Sequence, residues 1–263
     1  MLLLILRSIL FNIVFYLNLI GLMVLGMPVL AFGWQANQRM ARQWGKNSLW
    51  LLEKICGLRV EFVGVEHIPA GAAIIAPKHQ SILETFALTV PVQDFTYIHK
   101  RELTYIPFFG WYLARAGQLS IDRKKGGSAL AQVAAMARAM LPLGRRIFIF
   151  PEGTRRAAGA PPAYKYGVTH LYTETGVPCV PVAINSGLFW PRRSFLRRPG
   201  VLTIEFLPSI APGLDRAAFA ALLQETIETA TNRLMDEAIA RDPSLAVNRM
   251  RPDISGAEQK ESA

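Results

Sequence analysis

The chain contains no charged residue between positions 8 and 38, and residues 9–34 within that stretch are almost wholly apolar. As a helix, residues 9–34 would be about 39 Å long, which exceeds the roughly 30 Å hydrocarbon core of a bilayer. A signal peptide has a shorter apolar stretch followed by a small-residue cleavage site, and PVLAFGWQ is a poor one. We therefore expect a retained N-terminal helical segment that is embedded in a membrane.

Two arrangements of this segment are open. It can cross the bilayer, or it can break into two shorter helices that lie in one leaflet. Residues that permit such a break are Asn12, Asn18, Gly21, Gly26 and Pro28. Basic residues at positions 39, 42, 46, 54 and 59 follow the segment closely, so a spanning segment would leave the rest of the chain in the cytoplasm. We expect the inner (cytoplasmic) membrane, with the folded domain facing the cytoplasm.

Composition narrows the possible partners. The 263 residues carry a formal net charge of +10, although only 18% of them are charged. The basic residues are scattered among apolar and aromatic ones without a nucleic-acid-binding motif, which favours a phospholipid membrane surface and argues against nucleic acid. A solvated basic surface without a partner is the alternative. Cys56 and Cys179 are too few for a disulfide framework and fit a reducing compartment.

Hydrophobic periodicity divides the chain into three parts. Residues 1–56 hold the membrane segment and an amphipathic helix over 35–56, which would lie at the bilayer interface or dock on the next domain. Residues 57–240 alternate short apolar runs with helical patterns, which predicts an α/β domain with a mixed, largely parallel sheet flanked by helices. Residues 241–263 are polar and aperiodic, which predicts a disordered tail.

The elements of the α/β domain follow from the same patterns. Strand candidates are residues 59–65, 72–77, 95–98, 118–121, 146–150, 179–184 and 201–206. Helical patterns lie near residues 81–90, 127–141, 165–175 and 215–240.

His79 follows the second predicted strand, in the sequence APKHQSILETFAL. Open α/β sheets usually build ligand sites at the carboxyl ends of their strands. Ser81 and Glu84 have the spacing of a capping box, so Glu84 could simply cap a helix. A carboxylate there could also hold one imidazole nitrogen as N–H and leave the other free to accept a proton. We interpret His79 as a candidate general base and Glu84 as its partner.

Two further stretches carry anion-binding residue types. In FIFPEGTRR, Gly153 allows a tight turn, while Thr154 and Arg155 supply donors for a phosphate. Glu152 could belong to that site or form a loop ion pair with Arg155. In IHKRELTYIPFFGWYL, Lys100 and Arg101 precede an aromatic-rich stretch that would wall an apolar groove or meet lipid.

Other reaction classes lack their motifs in this sequence. It contains no G-x-S-x-G nucleophile elbow, P-loop or dinucleotide fingerprint. The four histidines have no ligand spacing, so we expect no metal site. A covalent serine or cysteine mechanism therefore has no support.

The order and separation of KHQSILET, KRELTYIPFFGW, FPEGTR and VPVAIN resemble the four blocks of the lysophosphatidate (1-acyl-sn-glycerol-3-phosphate) acyltransferase family. The resemblance covers about residues 60–190. It implies that His79 is the catalytic histidine and Glu84 its acidic partner. It also implies a glycerol-phosphate site formed by Lys100, Arg101, Gly153, Thr154 and Arg155, with Glu152 in that site or bracing it. The acid is usually Asp, and the residue before the histidine, here Lys78, is commonly Asn.

The resemblance implies transfer of a fatty acyl group from acyl-coenzyme A or acyl-carrier protein to the 2-hydroxyl of lysophosphatidate, giving phosphatidate. No cofactor is expected beyond that thioester co-substrate. Alternatives are acylation of another lyso-lipid or of glycerol 3-phosphate, and a non-enzymatic lipid-binding protein. Hydrolysis of lipid esters would need a nucleophile or water-activating site that the sequence does not show.

Overall fold

The apolar N-terminus forms half of a helical hairpin in the computed structural model, which describes residues 1–122 and 126–250. Helix α1 (Leu2–Leu25) is followed by a 3₁₀ turn (Met27–Ala31), and α2 (Trp34–Cys56) returns alongside it. The helices run antiparallel. The Asn47 amide donates at 3.3 Å to Asn18 in the second half of α1, whereas the thiol of Cys56, later in α2, donates to the carbonyl of Arg7 in the first half of α1. The chain therefore breaks at Gly26 and Pro28, where proline cannot continue the helix.

Within the described residues, seven strands form one sheet in the order β1-β7-β6-β2-β5-β3-β4. The strands are β1 (Leu58–Val63), β2 (Ala73–Pro77), β3 (Phe95–Lys100), β4 (Leu119–Ile121), β5 (Arg146–Phe148), β6 (Cys179–Ile184) and β7 (Gly200–Phe206). Neighbours pair in parallel except β6 and β7. The prediction of a mixed, largely parallel sheet is confirmed, and each of the seven predicted strands is present within two residues at either end.

Helices cover both faces of the sheet. Besides α1 and α2, they are α3 (Leu83–Ala87), α4 (Phe109–Arg115), α5 (Gly126–Met140), α6 (Tyr166–Thr175), α7 (Ser186–Phe189) and α8 (Arg216–Arg241). Strand β2 shows how the faces separate: Ala73 and Ile75 pack in the core beneath the N-terminal hairpin, whereas Ile74 and Ala76 pack beneath α6 and α8. This period of two is what an extended chain imposes when both faces are covered.

Helix α2 is docked on the α/β domain. Its Gln38 amide donates to the Phe95 carbonyl at 2.6 Å, and Leu52 is fully buried. Gly45 lies so close to the Phe86 carbonyl that a Cβ there would approach it to 2.8 Å, so a glycine is needed for this contact. Of the two sequence-based alternatives for this helix, docking on the domain is the one observed.

The predicted disordered tail begins too early. Residues Pro243–Asn248 form a 3₁₀ helix that follows α8, and Leu245 within it is buried. The Asn248 amide donates to the Leu188 carbonyl at 2.6 Å, and the Met250 N–H donates to the Ala158 carbonyl at 2.8 Å. The polar, aperiodic pattern did not predict the buried leucine or these two hydrogen bonds, of which one is donated by a side chain and the other by the backbone. The rest of the predicted tail, residues 251–263, lies outside the described residues.

Candidate active site

The sheet order brings the three predicted site segments to one edge. Strands β2, β5 and β3 are consecutive parallel neighbours. Their carboxyl ends therefore open at the same edge, where β2 leads to His79, β5 to the 151–156 loop and β3 to Arg101. A direct bond joins two of these loops, since the Arg156 N–H donates to the His79 carbonyl at 2.8 Å.

His79 lies beside the Glu84 carboxylate. Its Nδ1 is 3.8 Å from Glu84 Oε2, beyond the 2.7–3.2 Å of an N–H···O hydrogen bond. Nδ1 is buried and has no hydrogen-bond partner among the described residues, so the 12% exposed fraction of the side chain lies elsewhere on the ring. The ring stacks on Phe150 with centroids 3.9 Å apart, which fixes its plane.

Glu84 is fully buried and is held from three directions. The Gln80 and Ser81 N–H groups donate to Oε1 at 3.1 and 2.9 Å, and the Ser186 hydroxyl also donates to it. Oε2 accepts a second bond from the Ser81 N–H at 3.1 Å and is the oxygen that faces His79. The Ser81 hydroxyl accepts from the Leu83 N–H and not from that of Glu84, so only the carboxylate half of a capping box is formed.

The sequence did not indicate two residues of this site, Ser186 and Gln80. Ser186 follows β6 and binds Glu84, while the Gln80 side chain accepts from the Gly187 N–H at 2.9 Å. Strand β6 neighbours β2 in the sheet although about 100 residues separate them, and only the sheet order places Ser186 there. The sequence VAINSG gave no separate signal for this role.

The loop after β5 contains both buried and solvent-exposed residues. Gly153 has φ +64°, a left-handed conformation that favours glycine. Thr154 is exposed and Arg155 partly exposed, while Glu152 is buried. Arg192, which the sequence analysis did not single out, donates to the Arg155 carbonyl at 2.9 Å and adds a cation at this loop.

Glu152 pairs with Lys78 and not with Arg155, the partner that the sequence suggested. Its Oε1 is 3.0 Å from Lys78 Nζ and 4.0 Å from Arg156 Nε, which replaces the loop ion pair with Arg155. Burial raises the pKa of Glu152, and the Lys78 cation opposes that rise. Lys78 is itself only 3% exposed, so it is a buried ion-pair member and its charge is not directed at solvent.

Lys100 and Arg101 are exposed at the end of β3. Arg101 Nη1 lies 3.8 Å from Asp122 Oδ2. The neighbouring aromatic surface, formed by Tyr105, Ile106, Phe108 and Trp111, is also exposed. It adjoins the end of α1 through Tyr112, whose hydroxyl donates to the Met23 carbonyl at 2.7 Å.

A cavity of about 1080 Å³ lies behind the histidine loop, between α8 and residues 159–162. Lys78, Gln80, Glu228 and Met235 line it. The cavity therefore borders the residues that support the histidine loop, and His79 and Glu84 do not line it. Across residues 1–122 and 126–250, no group of three or more His, Cys, Asp or Glu side chains could hold a metal ion.

The chain is an acyltransferase: the Acyltransferase family model matches residues 59–185, a segment that contains the candidate site residues from His79 to Arg155. A 1-acyl-sn-glycerol-3-phosphate acyltransferase from Pseudomonas aeruginosa is 37% identical over 199 residues, covering 75% of this chain and 77% of that protein. The chain belongs to the 1-acyl-sn-glycerol-3-phosphate acyltransferase family.

Two further similarities agree with this assignment. The 1-acyl-sn-glycerol-3-phosphate acyltransferase alpha of Mus musculus is 30% identical over 159 residues, which cover 59% of this chain and 56% of that protein. The crystal structure of a 1-acyl-sn-glycerophosphate acyltransferase from Thermotoga maritima has the same fold. Its TM-score is 0.73 at 22% sequence identity, and the alignment covers 87% of this chain and 96% of that one.

Proposed function

We propose that this enzyme transfers a fatty acyl group from a thioester of coenzyme A or acyl-carrier protein to the 2-hydroxyl of 1-acyl-glycerol 3-phosphate, giving phosphatidate. The observation that carries this proposal is the His79 ring beside the buried Glu84 carboxylate, at the sheet edge that also bears the Arg155 loop. The names of the relatives supply the acceptor.

In the proposed mechanism, His79 is the general base. Glu84 approaches Nδ1 by about an ångström to form a hydrogen bond, which places the proton there and leaves Nε2 as the acceptor. The hydroxyl oxygen attacks the thioester carbonyl as its proton passes to Nε2. The C–S bond then breaks, and the thiolate leaves with little acid assistance because a thiol has a pKa near 8.5. The imidazolium returns the proton to the thiolate.

This direct transfer needs neither an acyl-enzyme nor a further cofactor. The base and the thiolate leaving group account for every bond that changes. A cysteine nucleophile is also disfavoured on physical grounds: Cys56 and Cys179 are both buried, and burial raises the pKa of the Cys56 thiol to about 11. Holding the two substrates in register would supply much of the remaining acceleration.

The acceptor's phosphate would be held by the cationic loops at the same edge. We assign it to Arg155, Thr154 and the turn at Gly153, with Lys100 and Arg101 contributing from the end of β3. A planar guanidinium can give a phosphate monoester two parallel hydrogen bonds. Glu152 would brace this site through Lys78, since it is buried and already paired.

We infer that the hairpin inserts in one leaflet of the cytoplasmic membrane and that the catalytic domain lies on the cytoplasmic side. Helix α1 is long and apolar enough to cross a bilayer, and most of it is exposed. However, its polar face is tied to the α/β domain: the Ser8 hydroxyl accepts from the Arg197 N–H at 3.0 Å, and Asn12 accepts from the Arg197 guanidinium at 2.8 Å. A helix fastened along the domain in this way favours shallow insertion over crossing.

One assay tests the proposed function. Purified protein in anionic phospholipid vesicles is given acyl-coenzyme A, and free thiol and product lipid are followed with several acceptors. Thiol release that depends on 1-acyl-glycerol 3-phosphate and matches phosphatidate formation is the expected result. Release without an acceptor would indicate hydrolysis, and release only with glycerol 3-phosphate or another lyso-lipid would reassign the acceptor.

A further inference from the structure

A buried ionic cluster lies directly behind the catalytic loops. Lys78 Nζ is 3.0 Å from Glu152 Oε1 and 2.5 Å from Glu228 Oε1. The Tyr164 hydroxyl donates to the same Glu228 oxygen at 2.9 Å. The Lys78 and Glu152 side chains are 3% and 1% exposed, so water does little to screen their charges.

The strand direction explains why Lys78 turns toward α8. Side chains of β2 alternate between the faces, and Ile74 and Ala76 pack against the α6 and α8 side. Lys78 continues this alternation, because its N–H still pairs with the Val182 carbonyl of β6 at 2.9 Å. The next residue, His79, is thereby directed away from α8. Lysine is almost never fully buried unless it is paired, and here two carboxylates pair with it.

We propose that Glu228 of α8 is a positioning residue for acyl transfer, and that through Lys78 it fixes the loop bearing His79 against the loop bearing Glu152 and Arg155. The inference rests on the proposed function. Lys78 immediately precedes the base, and Glu152 stands three residues before the phosphate-binding arginine. Lys78 therefore joins the two loops to each other and to a helix.

The charges of this cluster balance in the wild type, and the loss of one charged member unbalances them. Lys78 and Arg156 supply two positive charges near Glu152, and the two carboxylates supply two negative ones. Replacing Lys78 by a neutral residue leaves two carboxylates facing one another with one cation at the edge. Removing the Glu228 charge in that background restores neutrality. A buried carboxylate without its partner costs more than the intact pair stabilises, so the loops should move when the balance is lost.

The cluster also extends the site beyond the segment that the family model matches. Glu228 lies 43 residues after the end of the segment that the family model matches at residue 185. The C-terminal helix would thus set the distance between the base and the phosphate site, although it donates no group to the reaction.

The test compares Lys78→Asn, Glu228→Gln and the double variant in the vesicle assay. Lys78→Asn should lower kcat/KM for 1-acyl-glycerol 3-phosphate about 100-fold, because a shift of about 1 Å in a catalytic group can cost that much. Glu228→Gln alone should cost only a few-fold, since its amide oxygen still accepts from Lys78 and Tyr164. The double variant should recover at least tenfold of the activity lost in Lys78→Asn.

A pH profile separates positioning from a general loss of structure. In Lys78→Asn, Glu152 and Glu228 face each other with Tyr164 and Arg156 beside them, and protonation of one carboxylate relieves the repulsion. Loss of Lys78 also removes the cation that holds down the pKa of Glu152. The activity of this variant relative to the wild type should therefore rise as pH falls from 8 to 6. The rise should be smaller in the double variant, because the Glu228 charge no longer raises the pKa of Glu152 there, although Lys78 is still absent.

Three outcomes would overturn the inference while leaving the proposed function intact: a Lys78→Asn enzyme with more than half of wild-type activity, no recovery in the double variant, or a pH-independent ratio. Glu225→Gln removes the same charge from an exposed position of α8 and should be silent. Should Lys78→Asn fail to fold, Glu228→Ala replaces it, with an expected rise of about tenfold in acceptor KM and an unchanged thioester KM. An unchanged acceptor KM would then overturn the inference. A wild-type protein without acyl transfer would instead refute the proposed function.

Discussion

Glu84 combines two roles that are usually considered separately. Its Oε1 accepts backbone bonds at the start of a short helix, as a capping residue does, and its Oε2 faces the His79 ring. A carboxylate bound to several N–H groups has a fixed orientation, so the capping contacts are what aim it at the imidazole. The Ser186 hydroxyl, at the start of α7 after β6, also donates to Oε1.

His79→Ala should lower kcat about 10³-fold, because a positioned general base accelerates a reaction by about 10² to 10⁴. Thiol release with saturating acyl-coenzyme A and 1-acyl-glycerol 3-phosphate measures the loss. His67→Ala is the matched control: His67 follows β1, which runs opposite to β2 across the mixed sheet, so it lies at the other edge and should keep activity. A folded, vesicle-bound His79→Ala enzyme with substantial activity would exclude the general-base mechanism.

Arg155→Ala should raise the KM for the phosphorylated acceptor by 10- to 100-fold and leave the thioester KM unchanged, since a hydrogen bond to a charged group contributes about 1.5–3 kcal/mol. Arg155→Lys retains the charge but loses the paired donors, so its acceptor KM should lie between that of the wild type and that of Arg155→Ala. Initial rates at varied acceptor concentration give these values. An unaltered acceptor KM in Arg155→Ala would remove this residue from the phosphate site.

Among the elements, the N-terminal hairpin and the aromatic surface beside α4 form one continuous exposed region. The Tyr112–Met23 hydrogen bond joins α4 to the end of α1. Leu25, Met27 and Phe32 extend the exposed apolar surface around this junction. Such a patch marks an interaction site, and the proposed membrane contact would cover it.

Trp111→Ser should weaken binding to anionic phospholipid vesicles about tenfold. The Trp111 side chain is 53% exposed, and on vesicle binding part of its large apolar surface would move from water into the membrane. Co-sedimentation at fixed lipid concentration gives the partition. Val247→Ser is the control, since Val247 is 71% exposed on the 3₁₀ helix after α8. Equal losses in both variants, or none in Trp111→Ser, would contradict a membrane contact at α4.

For the whole molecule, the two cysteines report global unfolding. Cys56 is the last residue of α2 and is buried in the core beside the sheet, and Cys179 lies in the core under α6 and α8. Burial raises the pKa of both thiols, that of Cys56 to about 11, so at pH 8 about one Cys56 in 10³ would be a thiolate even if reagent could reach it. A free thiol with a pKa near 8.5 is itself only partly ionised at pH 8, so maleimide labelling of Cys56 in the folded protein should be at least about 10²-fold slower than in denaturant. Rapid labelling of one thiol under native conditions would show that its side of the fold opens independently.

The sequence predicted a large part of this molecule because the signals are local. The seven strands, the helices α3, α5, α6 and α8, and the apolar N-terminus all follow from periodicity over a few turns. The short helix α4 was missed because its aromatic residues showed no clear period. The ordered structure of residues 242–250 was also not predicted, because their burial depends on contacts with residues near 158 and 188.

For the active site, the sequence by itself determined which chemical groups are available: an imidazole after one strand, a carboxylate one helical turn later, and a guanidinium after another strand. The tertiary structure alone decided their neighbours. Ser186 reaches Glu84, and Glu228 reaches Lys78, only because β6 and α8 pack beside β2. The physical reason is that backbone periodicity acts over a few residues, whereas ion pairs and buried hydrogen bonds depend on distances across the sheet.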